Sequence, residues 1–165
     1  MEEWLKYGIR LIVVILLQAL LIDHLQWMGI CHPQVYILCL LMFPIRLPEW
    51  VDMLIGALIG LVMDLYANSL GIHISACIAV MYFRRLLIPH LVSDSERVST
   101  EINSASIGTI AFVKMVVYMV LLHHTWVGML HAWSIHRIGI TLVSVLFSSL
   151  ITIAIIIGYD KIHTV

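Results

Sequence analysis

The sequence predicts an all-α integral membrane protein, a bundle of about six transmembrane helices with no separate soluble domain. Its 165 residues are 62% hydrophobic and 12% charged, with a mean hydropathy of +1.04. Such a composition cannot cover a globular domain with polar side chains, so lipid has to solvate part of the surface. Apolar runs of transmembrane length recur along the chain, and basic residues collect on one side of them.

The hydropathy pattern divides residues 1–165 into six predicted spans within a single transmembrane domain. The second span is short, because a full crossing needs about 20 residues and at least about 17. Pro33 suits its start, Pro44 should end or kink it, and a re-entrant segment is the alternative. The predicted spans are 7–25, 33–47, 50–66, 72–88, 107–122 and 138–157, and the predicted cytoplasmic loop is 90–106.

Basic residues predict the orientation, with both termini in the cytoplasm. Six spans place seven lysines and arginines on the side that holds the termini and Arg137 alone on the other. Cytoplasmic loops of membrane proteins carry such an excess of bases. The remaining base, Lys114, falls inside predicted span 5. The seven are Lys6, Arg10, Arg46, Arg84, Arg85, Arg97 and Lys161.

Predicted span 3 carries a candidate interface for another helix. Gly56, Gly60 and Asp64 recur every four residues and therefore share one helix face. Two glycines at this spacing let a second helix approach closely, and the acid can accept hydrogen bonds from a neighbour. Gly71, in the turn that follows, belongs to the same candidate site. Two interpretations remain open: ordinary packing inside the bundle, and docking of a partner or a ligand.

Charged residues at the cytoplasmic boundary form a second candidate site. Asp52 is expected near the inner end of span 3. A plausible packing brings it close to Arg46 or to the adjacent pair Arg84 and Arg85. Ion pairing at this boundary is expected to be structural.

Lys114 is the third candidate, because it falls near the middle of span 5. An ammonium in hydrocarbon costs at least about 2.5–3.5 kcal/mol, so it has to snorkel, line a cavity or pair with an acid. Asp64 is the one intramembrane acid well placed by depth. We therefore expect either an intramembrane pair of Asp64 and Lys114, direct or through water, or a lysine that snorkels along its helix.

No pattern in the sequence indicates an enzyme, a cofactor or a metal site. There is no GxSxG, Walker or GxGxxG motif and no pair of catalytic carboxylates. The predicted loop between spans 5 and 6 is rich in histidine, but it lacks zinc-ligand spacing, so we expect interface histidines there. A net charge of −1 gives no reason to expect nucleic acid as a partner. The four histidines are His123, His124, His131 and His136.

The region from Gly56 to Arg85 carries a resemblance. A glycine-bearing helix leads into Gly60-Leu-Val-Met-Asp64-Leu, then Gly71 follows, and an apolar helix closes on Arg84 and Arg85. This order resembles the family of the rod shape-determining protein MreD. The small size and the six-span hydropathy fit that family over the whole chain.

The resemblance implies a multi-pass protein of the bacterial inner membrane that is not an enzyme. Its members are regarded as scaffolds of the cell-elongation machinery, which guides peptidoglycan synthesis. The implied partners, besides membrane lipid, are MreC, the actin-like MreB, the glycosyltransferase RodA and a class B transpeptidase.

A second function follows from a further likeness, because the family's fold is similar to substrate-binding membrane subunits of energy-coupling-factor transporters. A small-molecule carrier would need a polar pocket near the outer face. Asp64, Asn68 and His73 are the candidates for such a pocket, with Lys114 as a further one. Pockets of this kind need several convergent polar groups, and the predicted spans offer few.

Overall fold

The computed structural model of the chain describes residues 2–22, 31–44, 47–92, 102–132 and 138–164. Within these ranges the regular structure is helical, and no β-strand is present. The helices, numbered in chain order, are α1 (Glu2–Leu17), α2 (Ile37–Met42), α3 (Glu49–Ala67), α4 (Ile72–Leu91), α5 (Ser104–Ile107), α6 (Thr109–His131) and α7 (Ile138–Thr164).

Four of these helices, α3, α4, α6 and α7, are long and apolar enough to cross a membrane. Helix α1 continues directly into a π-helix over Gln18–Ile22, so that 16 α-helical and 5 π-helical residues follow one another. Large apolar side chains remain exposed on every long helix, among them Leu20, Leu65, Ile110 and Leu150. An all-α, multi-pass membrane protein accounts for these surfaces, because lipid can cover them.

The predicted second span is mostly not helical. Residues 31–36 form no helix, and α2 has six residues, which corresponds to about 9 Å. A helix of that length cannot cross a hydrocarbon core of about 30 Å. The segment is nevertheless interior, because Tyr36, Ile37 and Leu40 are fully buried. Non-helical backbone at membrane depth is tolerated where protein surrounds it and satisfies its polar groups.

The contacts of this segment define two ends of the bundle. Near its end, Phe43 stacks on Tyr7 at a ring distance of 5.9 Å, and its carbonyl oxygen accepts a hydrogen bond from Arg84. Just before α2, Tyr36 contacts His73 and His123. We call these the arginine end, defined by Phe43, Arg84 and Arg85, and the histidine end, defined by Tyr36, His73 and His123.

Helices α3, α4, α6 and α7 run in alternating directions between these ends. Asp64, late in α3, contacts the start of α4. Trp126, late in α6, donates a hydrogen bond to Ser75, early in α4, at 3.2 Å. Thr152 of α7 lies 3.5 Å from His124 of α6. The start of α1 and the end of α4 both lie at the arginine end, because Tyr7 and Arg84 both contact Phe43.

The glycine face of α3 is covered by α4 of the same chain. A Cβ atom built on Gly60 would lie 2.5 Å from Ile74 Cα, and one built on Gly56 would lie 3.0 Å from the Cys77 carbonyl oxygen. Both distances are shorter than van der Waals contact, so glycine allows the two backbones to approach this closely. The glycine face therefore packs against α4 inside the bundle, and α4 leaves no room there for a partner helix.

The turn between α3 and α4 reverses the chain within a few residues. Asn68 ends α3 with a φ of 50°, and Gly71 precedes α4 with a φ of 83°. Positive φ is open to glycine and tolerated by asparagine better than by most residues. A Cβ on Gly71 would meet no atom within 4 Å, so backbone conformation rather than packing favours glycine here.

Helix α6 extends past the predicted end of span 5. A loop was expected from residue 123, but the helix continues to His131. His123 and His124 are 0% and 4% exposed, so the expectation of interface histidines is wrong for these two. Their polarity favoured a loop in the sequence, whereas burial against hydrogen-bonding partners keeps them in the helix. His136 lies outside the described residues, as do 93–101 of the predicted cytoplasmic loop.

Replacing Gly60 by alanine tests the close approach of α3 and α4. The new methyl group would force the backbones apart, and overpacking of this kind costs about 1–3 kcal/mol. We expect a lower midpoint of thermal unfolding in detergent for Gly60→Ala. The matched control is Gly158→Ala in α7, where a Cβ meets nothing within 4 Å and the midpoint should hold or rise. Equal midpoints for the two variants would contradict the packing account.

Candidate functional site

A cluster of buried polar side chains lies at the histidine end. It draws on the π-helix, the non-helical segment before α2, and helices α4, α6 and α7. Each member is at most 9% exposed. Buried polar groups need hydrogen-bond partners, and these groups supply them to one another. The polar cluster consists of Gln18, Gln34, Tyr36, His73, His123, His124 and Thr152.

The Tyr36 hydroxyl is the centre of the polar cluster. It lies 2.9 Å from His73 Nδ1 and 2.8 Å from His123 Nε2, and it donates to Gln34 Oε1 at 3.2 Å. A hydroxyl has one proton to donate and two lone pairs that accept. Because that one proton goes to Gln34, both imidazoles donate to the Tyr36 oxygen.

Asp64 positions His73 by binding the start of α4. Its carboxylate accepts hydrogen bonds from Ser69 Oγ at 2.6 Å, from the His73 backbone N–H at 3.0 Å and from the Ile74 backbone N–H at 2.9 Å. The first N–H groups of a helix have no intrahelical partner, and a carboxylate there is favoured by the helix dipole as well. Asp64 thus caps α4, while Gly71 supplies the turn that brings α4 back to it.

Side chains from the π-helix and from α7 satisfy the backbone of the non-helical segment. Gln18 donates to the Pro33 carbonyl oxygen at 2.9 Å and accepts from the Val35 N–H at 2.7 Å. The Gln34 N–H donates to Thr152 Oγ1 at 3.1 Å. These bonds replace the ones that a helix would make internally, so the segment can remain in the protein interior.

His124 is engaged on both ring nitrogens, whereas His123 is not. His124 Nδ1 lies 2.9 Å from the Val120 carbonyl oxygen, and its Nε2 lies 3.5 Å from Thr152 Oγ1. His123 Nδ1 is buried and has no hydrogen-bond partner among the residues that the structure describes. A buried polar atom without a partner costs about 1–3 kcal/mol.

At the arginine end, the predicted boundary charges lie together. Arg85 forms ion pairs with Asp52 at 3.4 Å and with Glu49 at 3.2 Å, and it donates to the Leu47 carbonyl oxygen at 2.9 Å. Arg84 is 1% exposed and donates to the Phe43 carbonyl oxygen. The two arginines fix the residues between α2 and α3 against α4. Arg46, the other base expected here, lies outside the described residues.

The expected pair of Asp64 and Lys114 does not form. Asp64 binds the backbone at His73, whereas Lys114 lines a cavity together with His90. These two positions on α4 are separated by about 25 Å along a regular helix. Hydropathy placed Lys114 near the middle of its span and Asp64 in the outer half of its own, and it could not show that the two side chains belong to opposite ends. Lys114 is exposed, which leaves the snorkelling alternative in place.

Sequence reasoning missed most of the polar cluster. One signal was present, since Gln18 is the only polar residue in its apolar run, and polar side chains within membrane spans usually face the protein interior. His123 and His124 were assigned to a loop, and no periodicity distinguishes Tyr36 from the other aromatics. Of the residues proposed for a carrier pocket, His73 belongs to the cluster, while Asn68 is exposed.

The chemistry available to the polar cluster is hydrogen bonding. Tyr36, His73 and His123 exchange hydrogen bonds directly, and the carboxylate of Asp64 is occupied by three donors. In the described part of the chain, no group of three or more His, Cys, Asp and Glu side chains is arranged to hold a metal ion. The cluster ties five elements together at membrane depth.

Replacing Tyr36 by phenylalanine isolates the contribution of its hydroxyl. The ring volume is retained, but two buried imidazole nitrogens lose their shared partner, at about 1–3 kcal/mol for each atom left unsatisfied. We expect Tyr36→Phe to lower the midpoint of thermal unfolding in detergent. The control is Tyr118→Phe on α6, whose ring is exposed, and this variant should unfold like the unchanged protein. Two indistinguishable midpoints would mean that the cluster contributes little to stability.

Comparison with protein-family models, with curated proteins and with solved structures finds no match to this chain.

Proposed function

We propose that this protein is a non-enzymatic scaffold subunit in the membrane-bound machinery of bacterial cell elongation, of the MreD type. The observation that carries the proposal is that the residues of the resemblance, spread over a helical hairpin, each have a role in building that hairpin. Residues that shape the backbone in this way indicate an architecture rather than a reaction centre.

Each residue of the pattern has its own place in the α3–α4 hairpin. Gly60 permits close contact with α4, Asp64 caps α4, and Gly71 provides the positive φ of the turn. Arg84 ties the far end of α4 to the Phe43 carbonyl oxygen. The pattern therefore specifies a backbone arrangement, which supports a likeness in fold to the MreD family.

We further propose six membrane crossings with both termini in the cytoplasm of a bacterial cell. Three features support this topology. Helices α3, α4, α6 and α7 alternate in direction, and the buried segment from residue 33 to 44 connects the histidine end to the arginine end between α1 and α3. Arg84, Arg85 and the start of α1 share one end, as the positive-inside rule requires of a cytoplasmic face.

The polar cluster favours a scaffold over a small-molecule carrier. A carrier pocket needs polar groups that converge on a cavity and remain available to a ligand. Here Asp64 accepts three internal hydrogen bonds, and Tyr36 joins two histidines to each other. These groups are occupied within the fold, as expected of a rigid core that presents its outer surfaces to partners.

Partner helices such as those of MreC, RodA and the transpeptidase would dock on faces that the bundle leaves exposed. Helix α3 offers an apolar stripe on the side away from its glycines. Its members recur at intervals of three and four residues, as a single helix face requires. The α3 stripe consists of Trp50, Leu54, Leu58, Leu61 and Leu65, whose exposure ranges from 42% to 72%.

A depletion and rescue experiment in the native host tests the function and the topology together. Depletion of the protein should turn rod-shaped cells round, and a copy with green fluorescent protein at its C-terminus should restore the rod. That fusion should also fluoresce, because the reporter folds on the cytoplasmic side. The readouts are cell width and fluorescence in the membrane.

Cell shape tests the scaffold function, and fluorescence tests the position of the C-terminus. Cells that keep their shape after depletion would contradict the scaffold function. Rescue by a fusion that stays dark would contradict the cytoplasmic C-terminus and leave the scaffold function standing. The control is the same reporter on the N-terminus, which should fluoresce as well under the proposed topology.

A further inference from the structure

A cavity of about 490 Å³ lies at the arginine end, between the last turn of α4 and the first turns of α6. It is separate from the polar cluster, which lies at the opposite end of the same two helices. Its size is within the range of small-ligand sites in proteins. The lining residues are His90, Leu91, Ile107, Gly108, Thr109, Ile110, Ala111 and Lys114.

The described lining of this cavity carries positive charge. Lys114 contributes an ammonium, and the lining residues that the structure describes include neither aspartate nor glutamate. Within the described residues, Lys114 forms no ion pair, in contrast to Arg85, which is paired with Glu49 and Asp52. The cavity therefore has a cation that the described part of the fold leaves without a counter-ion.

The position of Lys114 on α6 directs its side chain toward the membrane boundary. Side chains on a helix tilt toward its N-terminus, and the N-terminus of α6 lies at the arginine end. Lys114 is exposed and stands five residues after Thr109, about 7.5 Å along the axis. Its ammonium can thus reach the level of the headgroups while its stem follows the helix.

The remaining lining completes an amphipathic site. Thr109 and His90 offer polar side chains beside Lys114, while Leu91, Ile107 and Ile110 offer apolar surface. A phosphate group would meet the polar side and acyl chains the apolar side. Pockets of this composition between transmembrane helices bind the headgroups of anionic lipids.

We infer that this cavity binds the phosphate of an anionic phospholipid, with Lys114 as its principal contact. Among the described lining residues Lys114 is a cation and none is a carboxylate, which favours a lipid of net negative charge over a zwitterionic one. The inference requires that the protein be embedded in a membrane and does not depend on the proposed scaffold function.

Native mass spectrometry of the purified protein tests the inference directly. The probe is an equimolar mixture of phosphatidylglycerol and phosphatidylcholine with identical acyl chains, and the readout is the ratio of the two lipids retained. A basic residue near a membrane surface contributes about 1 kcal/mol, so Lys114→Met should lower this ratio about fivefold. Lys114→Arg, which keeps the charge, should preserve the preference.

Two further variants separate the cavity from general surface attraction. Lys161→Met removes an exposed base from α7, outside the cavity lining, and should leave the ratio unchanged. Ala111→Phe keeps every charge but fills the cavity, and it should lower the ratio as Lys114→Met does. Melting temperatures close to that of the unchanged protein would show that each variant is folded.

Two kinds of result would overturn the inference. An unchanged ratio for Lys114→Met, or an equal loss for Lys161→Met, would show that no specific site exists at the cavity. Displacement of phosphatidylglycerol by millimolar inorganic phosphate would show that the site binds the free anion and that the lipid assignment is wrong.

Discussion

The contact between the Asp64 carboxylate and the first N–H groups of α4 is the constraint on which the rest of the bundle depends. It holds the two ends of a tight turn together and starts α4 directly against α3. With that start fixed, the glycines of α3 meet α4 along its length, and His73 faces Tyr36. Arg84, three turns further on, then reaches the Phe43 carbonyl oxygen. One charged contact thus sets the register of the hairpin and of the segment packed on it.

A lipid solvent explains why so many polar groups are collected at the histidine end. Non-helical backbone between α1 and α3 has to find hydrogen bonds inside the protein, because hydrocarbon offers none. Gln18 and Thr152 supply these hydrogen bonds. The hydroxyl of Tyr36, the residue before α2, is hydrogen-bonded to His73 of α4 and His123 of α6. Large apolar side chains remain exposed on the outer faces of the helices. A core that is tied together in this way, with apolar faces turned outward, is suited to holding partner helices.

Local patterns in the sequence predicted those features that depend on one helix at a time. The four-residue spacing of Gly56 and Gly60 indicated close packing, and Asp52 was placed beside the arginines where Arg85 now binds it. Features that depend on several elements were not accessible. Burial of His123, the non-helical second segment and the separation of Asp64 from Lys114 all follow from tertiary contacts. Hydropathy measures depth at best, and it cannot show which face or which end a side chain occupies.

The proposed scaffold function requires that this protein bind other membrane proteins, and purification from its native membrane in a mild detergent tests that requirement most directly. The tagged protein should bring with it MreC, RodA or the class B transpeptidase, identified by mass spectrometry and absent from an untagged preparation. Recovery of an ATPase module with a coupling membrane subunit would contradict the scaffold and support the small-molecule carrier in its place.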